Sequence, residues 1–66
     1  MFRNLEAEQA RLGMKNQQVA DILQISRVSY ESKKKTGKFQ VFEIYKLCQL
    51  FKCDFEYLFS TDDKTA

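Results

Sequence analysis

Almost nothing in this chain would interrupt a helix. It has no proline, and its only two glycines are at positions 13 and 37, so the residues that most often bound strands and hairpins are nearly absent. A chain of 66 residues has room for one domain. Hydrophobic residues make up 44% of it, more than a disordered segment carries. The sequence therefore predicts one compact all-α domain over residues 1–60, followed by a polar, frayed tail over residues 61–66.

The first two helices are predicted from apolar residues at helical spacing. Helix one covers residues 2–12, and a glycine follows where it would stop. Its predicted buried face consists of Phe2, Leu5 and Leu12, with Gln9 filling the remaining position. Helix two is shorter and begins at Lys15 or Asn16. Its apolar residues are Val19, Ala20 and Leu23.

The third helix differs from the others because it has little apolar surface. Ser26 is a good N-cap residue, so the helix is predicted to run from Arg27 to about Lys35. Only Val28 and Tyr30 are apolar in that stretch, and we expect Tyr30 to anchor the helix in the core. Such a helix exposes most of its side chains.

The fourth helix has the strongest amphipathic pattern in the chain. Its predicted buried face consists of Val41, Ile44, Cys48 and Phe51, with Leu47 alongside. A fifth, short helix is expected after Asp54, a candidate N-cap, with Phe55, Leu58 and Phe59 at helical spacing.

Charge is unevenly distributed along the chain. From Arg27 to Lys38, five basic residues stand against Glu31 alone, a net charge of +4. From Asp54 to Asp63 there are four acidic residues and no basic one, a net charge of −4. A protein with one basic and one acidic flank has a preferred orientation toward a polyanion.

Two short helices separated by about three residues, of which the second is polar, have the layout of a helix-turn-helix. In that motif the second helix lies in the DNA major groove and its N-terminal residues contact base edges. Arg27, Val28 and Ser32, the first, second and sixth residues after the cap, are the predicted base-contacting set. Glu31 is a further candidate, as an acceptor from a cytosine amino group or simply as an exposed helix charge.

Candidate contacts to the DNA backbone flank the third helix. Lys33, Lys35 and Lys38 follow the base-contacting residues, where a docked duplex would present phosphates, although such a run can also be a solvated surface. Asn16 and Gln17 begin the second helix and can direct amide and backbone N–H groups at a phosphate, or simply cap their own helix.

The chain resembles the lambda-repressor-like, Cro-type helix-turn-helix family of phage and bacterial transcriptional regulators. The resemblance is carried in order by Leu12-Gly13-Met14, by Asn16 to Ala20, by Ile25-Ser26-Arg27 and by Asp54 to Phe59. It covers nearly the whole chain and implies a five-helix domain that binds double-stranded operator DNA as a homodimer. It also implies base contacts at Arg27, Val28 and Ser32 and backbone contacts at Asn16 and Gln17.

Two pairs of positions depart from the family pattern. Gln24 and Lys52 stand where glycine is usual, so each is expected to be a non-glycine residue at positive φ. Gln9 and Lys34 match positions that often form an Arg–Glu pair between the first helix and the end of the third. Because both partners have changed, no unpaired charge need be buried there.

The sequence thus predicts a Cro-like repressor, with other classes as alternatives. A small helical protein-interaction module would use Phe55, Tyr57 and Phe59, which are also the predicted dimer contacts. An enzyme is not expected, because the chain has no histidine, no glycine-rich phosphate loop and no activated-nucleophile pattern.

No cofactor, metal ion or small-molecule ligand is expected. Cys48 and Cys53 are too few for a tetrahedral zinc site without histidine, and we interpret them as small apolar side chains. The longest apolar run is three residues, Tyr57-Leu58-Phe59, which is far too short for a membrane span or a signal peptide. A cytoplasmic location is therefore expected.

Overall fold

All five predicted helices are present in the computed structural model, which describes residues 2–60. They are α1 (Arg3–Arg11), α2 (Asn16–Leu23), α3 (Arg27–Thr36), α4 (Val41–Phe51) and α5 (Phe55–Leu58). That range contains no strand, so the all-α prediction is confirmed. No helix within it has the length and apolar character needed to cross a membrane. The predicted tail over residues 61–66 lies outside the described residues.

The starts of α2 and α3 are set by side chains that satisfy free backbone N–H groups. The Oε1 atom of Gln18 accepts a hydrogen bond of 2.7 Å from the backbone N–H of Lys15. The Oγ atom of Ser26 accepts one of 3.1 Å from the N–H of Ser29, which confirms Ser26 as the N-cap of α3. Both contacts occupy donors that a helix N-terminus otherwise leaves unpaired.

Four residues at helix ends adopt the left-handed backbone conformation. Two are glycines, Gly13 with φ of 67° and Gly37 with φ of 79°. The others are Gln24 with φ of 62° and Lys52 with φ of 54°, as expected from the missing glycines. A side chain with a Cβ atom pays a steric penalty in this conformation. Both positions therefore hold strain that glycine would relieve.

The core is built from all five helices. Its buried apolar residues are Phe2, Leu5, Val19, Ala20, Leu23, Tyr30, Leu47, Phe51 and Leu58. Tyr30 is fully buried and anchors α3, as predicted. The prediction for Leu12 is wrong, because this residue is 43% exposed. It follows the last residue of α1, where the chain already turns away, and Met14 packs against the core instead.

The predicted buried face of α4 is also wrong in part. Val41 is 83% exposed, and Ile44 and Cys48 are only half-buried. The buried face of the helix consists instead of Glu43, Leu47 and Phe51. Compared with the predicted stripe, the helix is rotated so that a glutamate points inward.

Glu43 explains this rotation. Its side chain is 2% exposed, and its Oε1 atom accepts hydrogen bonds from the backbone N–H of Gln40 at 2.8 Å and from Nζ of Lys33 at 3.1 Å. The carboxylate thus caps α4 and ties it to α3. A buried charge with such partners is tolerated. A prediction from hydrophobic spacing places every charged residue on the exposed face, and therefore misses Glu43.

An aromatic cluster closes one end of the core. The ring of Phe59 lies edge-on to Phe2 at a centroid distance of 5.3 Å and to Phe39 at 5.6 Å. Tyr30 and Phe55 extend the cluster from α3 and α5, at 6.3 Å from Phe39 and 5.4 Å from Phe59. Edge-to-face packing of this kind adds to the area that the rings bury.

The left-handed geometry of Gln24 predicts that a glycine there stabilises the protein. We expect Gln24→Gly to raise the free energy of unfolding by up to about 1 kcal/mol, because it relieves the Cβ penalty. Gln49→Gly is the matched control on the exposed surface of α4, where glycine should cost about 1 kcal/mol. Thermal or urea unfolding of both variants gives the comparison, and equal losses would contradict the assigned conformation at position 24.

Candidate nucleic-acid interface

Helix α3 turns two side chains inward and most of the others outward. Tyr30 and Lys34 are its buried residues. Val28 is 66% exposed, and several other large apolar side chains among residues 2–60 are exposed too. Arg27, Ser32 and Lys35 are also exposed. The predicted base-contacting residues therefore share the outer surface of the helix.

A connection of three residues, 24–26, joins α2 to α3. The N–H of Gln24 donates to the carbonyl of Asp21 at 3.1 Å, and the N–H of Ile25 donates to that of Ala20 at 3.0 Å. The half-buried side chain of Ile25 packs against the core. The start of α3 is thus held close to the end of α2 by both backbone and side-chain contacts.

Glu31 connects the outer surface of α3 to α2. Its Oε2 atom accepts two hydrogen bonds of 2.9 Å, one from Nδ2 of Asn16 and one from Nη1 of Arg27. The hydrogen bond from Asn16 and then that from Arg27 lower the pKa of the Glu31 carboxyl, so the group is ionised at neutral pH. Two predicted base-contacting residues therefore form an ion pair with each other.

Next to this pair lies a largely buried polar network, defined here as the buried residues Gln9, Tyr30 and Lys34 and the half-buried Asn16. The hydroxyl of Tyr30 donates to Oε1 of Gln9 at 2.7 Å. The Oδ1 atom of Asn16 accepts from Nε2 of Gln9 at 2.9 Å and from Nζ of Lys34 at 2.9 Å. Asn16 is the hub, and the network joins α1, α2 and α3.

Lys34 brings a full charge into this network. The residue is only 8% exposed, and its Nζ atom lies 3.0 Å from Oε2 of Glu6 and 4.8 Å from the centroid of the Tyr30 ring. Its charge is thus buried but paired. Burial and the negative charge of Glu6 raise the pKa of the Tyr30 hydroxyl, which stays protonated as the network requires. An ion pair between Glu6 and Lys34 and a hydrogen bond between Gln9 and Tyr30 thus link α1 to α3.

The three lysines proposed as phosphate contacts are not equivalent. Lys33 is committed to Glu43, with Nζ 3.1 Å from its Oε1 atom. Lys35 and Lys38 are exposed, and neither forms an ion pair within residues 2–60. Only these two present an uncompensated ammonium group beside α3.

The two amides at the start of α2 also differ. Both amide atoms of Asn16 are occupied by the network and Glu31, so its side chain supports α3. Gln17 is exposed, and its Nε2 atom donates to Oδ1 of Asp21 at 2.8 Å on the helix surface. An exposed contact of this kind exchanges readily for another acceptor.

The predicted dimer residues lie on and next to α5. Phe55 and Tyr57 are exposed, whereas Phe59 is half-buried in the aromatic cluster and fixes α5 to the core. Tyr57 is tied to α1, because its hydroxyl donates to Oε2 of Glu8 at 3.2 Å and its carbonyl accepts from Nδ2 of Asn4 at 2.8 Å.

A second exposed apolar surface was not predicted. Val41, Phe42 and Tyr45, here called the α4 patch, lie on the first half of α4, and Tyr45 is 68% exposed. The signal was present in the sequence, since α4 carries more apolar residues than one helix face can hold.

A cavity of about 250 Å³ opens between α1, α2 and α3. It is lined by Glu6, Asn16, Glu31, Lys34 and Lys35. The ammonium group of Lys34 lies against Glu6, so the carboxylates here are already balanced. No group of three metal-ligating side chains occurs among the described residues.

The two cysteines are half-buried free thiols. Burial raises the pKa of both Cys48 and Cys53, which keeps the thiols protonated and poorly reactive. The Sγ atom of Cys53 donates to the carbonyl of Phe51 at 3.2 Å. Both side chains pack against the core, which is the role expected of them.

Comparison of the chain with protein-family models, with curated proteins and with solved structures gives no match. A function must therefore be sought in the geometry and charge of the described side chains.

The buried network predicts a large cost for removing one hydroxyl group. Tyr30→Phe leaves Oε1 of Gln9 buried without its donor, and we expect the free energy of unfolding to fall by about 1–3 kcal/mol. Tyr45→Phe is the matched control, because the exposed hydroxyl should contribute less than about 0.5 kcal/mol. Urea unfolding of both variants tests this, and a Tyr30→Phe protein as stable as the control would contradict the network.

Proposed function

We propose that the protein is a sequence-specific regulator that binds double-stranded DNA through a lambda-repressor-like helix-turn-helix, with α3 in the major groove. The observation that carries the proposal is the outer surface of α3. It presents Arg27, Val28 and Ser32 side by side on a helix that is fixed from beneath by Tyr30 and Lys34. A helix with these exposed groups and a rigid base is suited to contact base edges.

The outward groups match the chemistry of the major groove. The guanidinium of Arg27 has five N–H donors, and guanine offers the O6 and N7 acceptors to such a fork. The methyl groups of Val28 suit the C5 methyl of thymine, and the hydroxyl of Ser32 can donate or accept. Because Val28 is exposed, its methyl groups are accessible for such a contact.

Contacts to phosphates fall to Lys35, Lys38 and Gln17. The two lysines hold uncompensated charge at the end of α3 and just beyond it, and Gln17 stands at the first turn of α2. Lys33 and Asn16 support α3 from within the protein. Two lysines per protomer give a moderate dependence of affinity on salt.

Regulation would work by occupancy of an operator. A homodimer joined through Phe55 and Tyr57 would place two copies of α3 in half-sites about one helical turn, roughly 34 Å, apart. Repression follows if such an operator overlaps a promoter. The acidic residues near α5 keep that end of the protein away from the DNA phosphates.

A second candidate function is a protein-interaction module. The α4 patch together with Phe55 and Tyr57 supports it, because these side chains are large, apolar and exposed. Apolar association is little weakened by salt, whereas binding to phosphates weakens as the salt concentration rises. Salt dependence therefore separates the two functions.

The direct test is selection from a random pool of double-stranded DNA at two salt concentrations, followed by sequencing of the retained DNA. We expect a palindromic motif from the unaltered protein and its loss in Arg27→Ala. Gln49→Ala on the exposed surface of α4 is the control that should keep the motif, because Gln49 lies outside α3 and outside the proposed dimer contact. Absence of retained DNA at low salt would contradict the proposal.

The uncompensated lysines predict specific salt slopes. Lys35→Ala and Lys38→Ala should each reduce the slope of log K against log salt by about 0.9 per protomer, since each removes one phosphate contact. Lys52→Ala removes the same charge at the end of α4 and should leave the slope unchanged. Fluorescence anisotropy with a labelled operator measures all three, and equal slopes for the three variants would argue against the assigned contacts.

A further inference from the structure

We propose that Glu31 is a positioning residue that fixes the guanidinium of Arg27 for one base pair, and that it does not itself contact a base. This inference rests on the proposed function and narrows it. The sequence predicted Glu31 as a candidate acceptor from cytosine. The geometry of its carboxylate instead fits a role in positioning Arg27.

The first observation is that one oxygen of Glu31 serves two donors. Oε2 accepts from Nδ2 of Asn16 and from Nη1 of Arg27, each at 2.9 Å. The carboxylate is therefore held from α2 on one side and holds the arginine on the other. A surface pair within one helix is usually mobile, but this one has an anchor on a second helix.

The second observation is that the side-chain amide of Asn16, which holds Glu31, has only one available orientation. Oδ1 of Asn16 accepts from Nε2 of Gln9 and from Nζ of Lys34, both at 2.9 Å. Because both of these partners are donors, the amide cannot be flipped, and its Nδ2 atom must face Glu31. The buried network thus dictates where the carboxylate sits.

The third observation concerns the donors that Arg27 retains. Its contact with Glu31 uses Nη1, and the side chain is 52% exposed. The remaining N–H groups on Nε and Nη2 are enough for a two-pronged contact with guanine O6 and N7. A long side chain held in place before binding loses less conformational freedom when it meets the base.

The charge of Glu31 also supports a positioning role. An ionised carboxylate in the major groove lies close to phosphates and is repelled unless a cation neutralises it. The pair with Arg27 supplies that cation. Glu31 also favours one base pair over others, because Arg27 would lose its charge-assisted hydrogen bond to Glu31 if it moved to contact a different base.

Positioning and direct contact make opposite predictions for a double-mutant cycle. If Glu31 acts through Arg27, both residues control the same base pair and their effects do not add. If Glu31 contacts cytosine itself, each residue controls its own base pair and the effects add.

The experiment uses the unaltered protein, Arg27→Ala, Glu31→Ala and the double variant. Anisotropy measures the affinity of each for the selected operator and for operators changed at one base pair at a time. We expect the unaltered protein to prefer guanine at one position roughly 5- to 100-fold. Most of that preference should be lost in each single variant, and no more should be lost in the double variant.

A conservative variant and a control separate positioning from charge. Glu31→Gln keeps an oxygen acceptor for Asn16 and Arg27 and should retain part of the preference at the same base pair. Gln49→Ala removes an exposed polar side chain from α4 and should leave that preference unchanged. Thermal unfolding of every variant verifies that the fold is kept.

Two results would overturn the inference. One is a loss of preference in Glu31→Ala at a base pair different from the one that Arg27 controls. The other is tighter binding of Glu31→Ala to all sequences with the guanine preference intact, which would make the carboxylate a source of repulsion only. Failure of the unaltered protein to bind DNA overturns the proposed function as well, and is therefore distinguishable from both.

Discussion

The placement of α3 depends on the two hydrogen bonds that Oδ1 of the half-buried Asn16 accepts from α1 and α3. They bring the amide of Gln9 on α1 and the ammonium of Lys34 on α3 to one point on α2. Helix α3 has only one large apolar side chain in the core, Tyr30, so apolar burial alone does not determine how it sits. Polar contacts therefore determine the orientation of α3 together with Tyr30. No buried side-chain polar atom among residues 2–60 lacks a partner, which is the condition under which such a network stabilises.

The same arrangement separates the two sides of α3. Its inner side is committed to structure: Tyr30 and Lys34 to the network, and Lys33 to the buried carboxylate of Glu43 on α4. Its outer side is therefore presented at a fixed angle, as a surface that must match a DNA groove requires. Glu31 lies between the two sides. It accepts a hydrogen bond from Asn16 of the network and another from Arg27 on the outer side, so the network restricts the position of Arg27. A helix with a purely apolar inner face would lack this connection.

Local patterns in the sequence were sufficient for the helices and their ends. Apolar spacing, the Ser26 cap and the missing glycines at Gln24 and Lys52 each correspond to what the structure shows. The predictions that Leu12 and Val41 are buried were wrong. A periodic pattern does not show that α1 ends before Leu12, and it does not show that the charged side chain of Glu43 is buried in α4.

For the candidate site, sequence predicted the exposure of α3 and its polar character. It did not distinguish the lysines that are free from those that are paired, since Lys33 and Lys34 meet partners on other helices. The double use of Asn16 was also out of reach, because it joins residues that lie 7 to 18 positions apart along the chain. Contacts over such separations depend on the packing of the helices and leave no periodic trace.

We propose that the outer surface of α3 contacts DNA, and a titration of the isotope-labelled protein with its selected duplex, followed by the backbone amide resonances in NMR spectra, tests this directly. We expect the largest shifts at residues 26–32 and at Gln17, while the amides of the α4 patch change little. Shifts centred on the α4 patch with α3 unperturbed would contradict it, and would identify α4 as the binding surface instead.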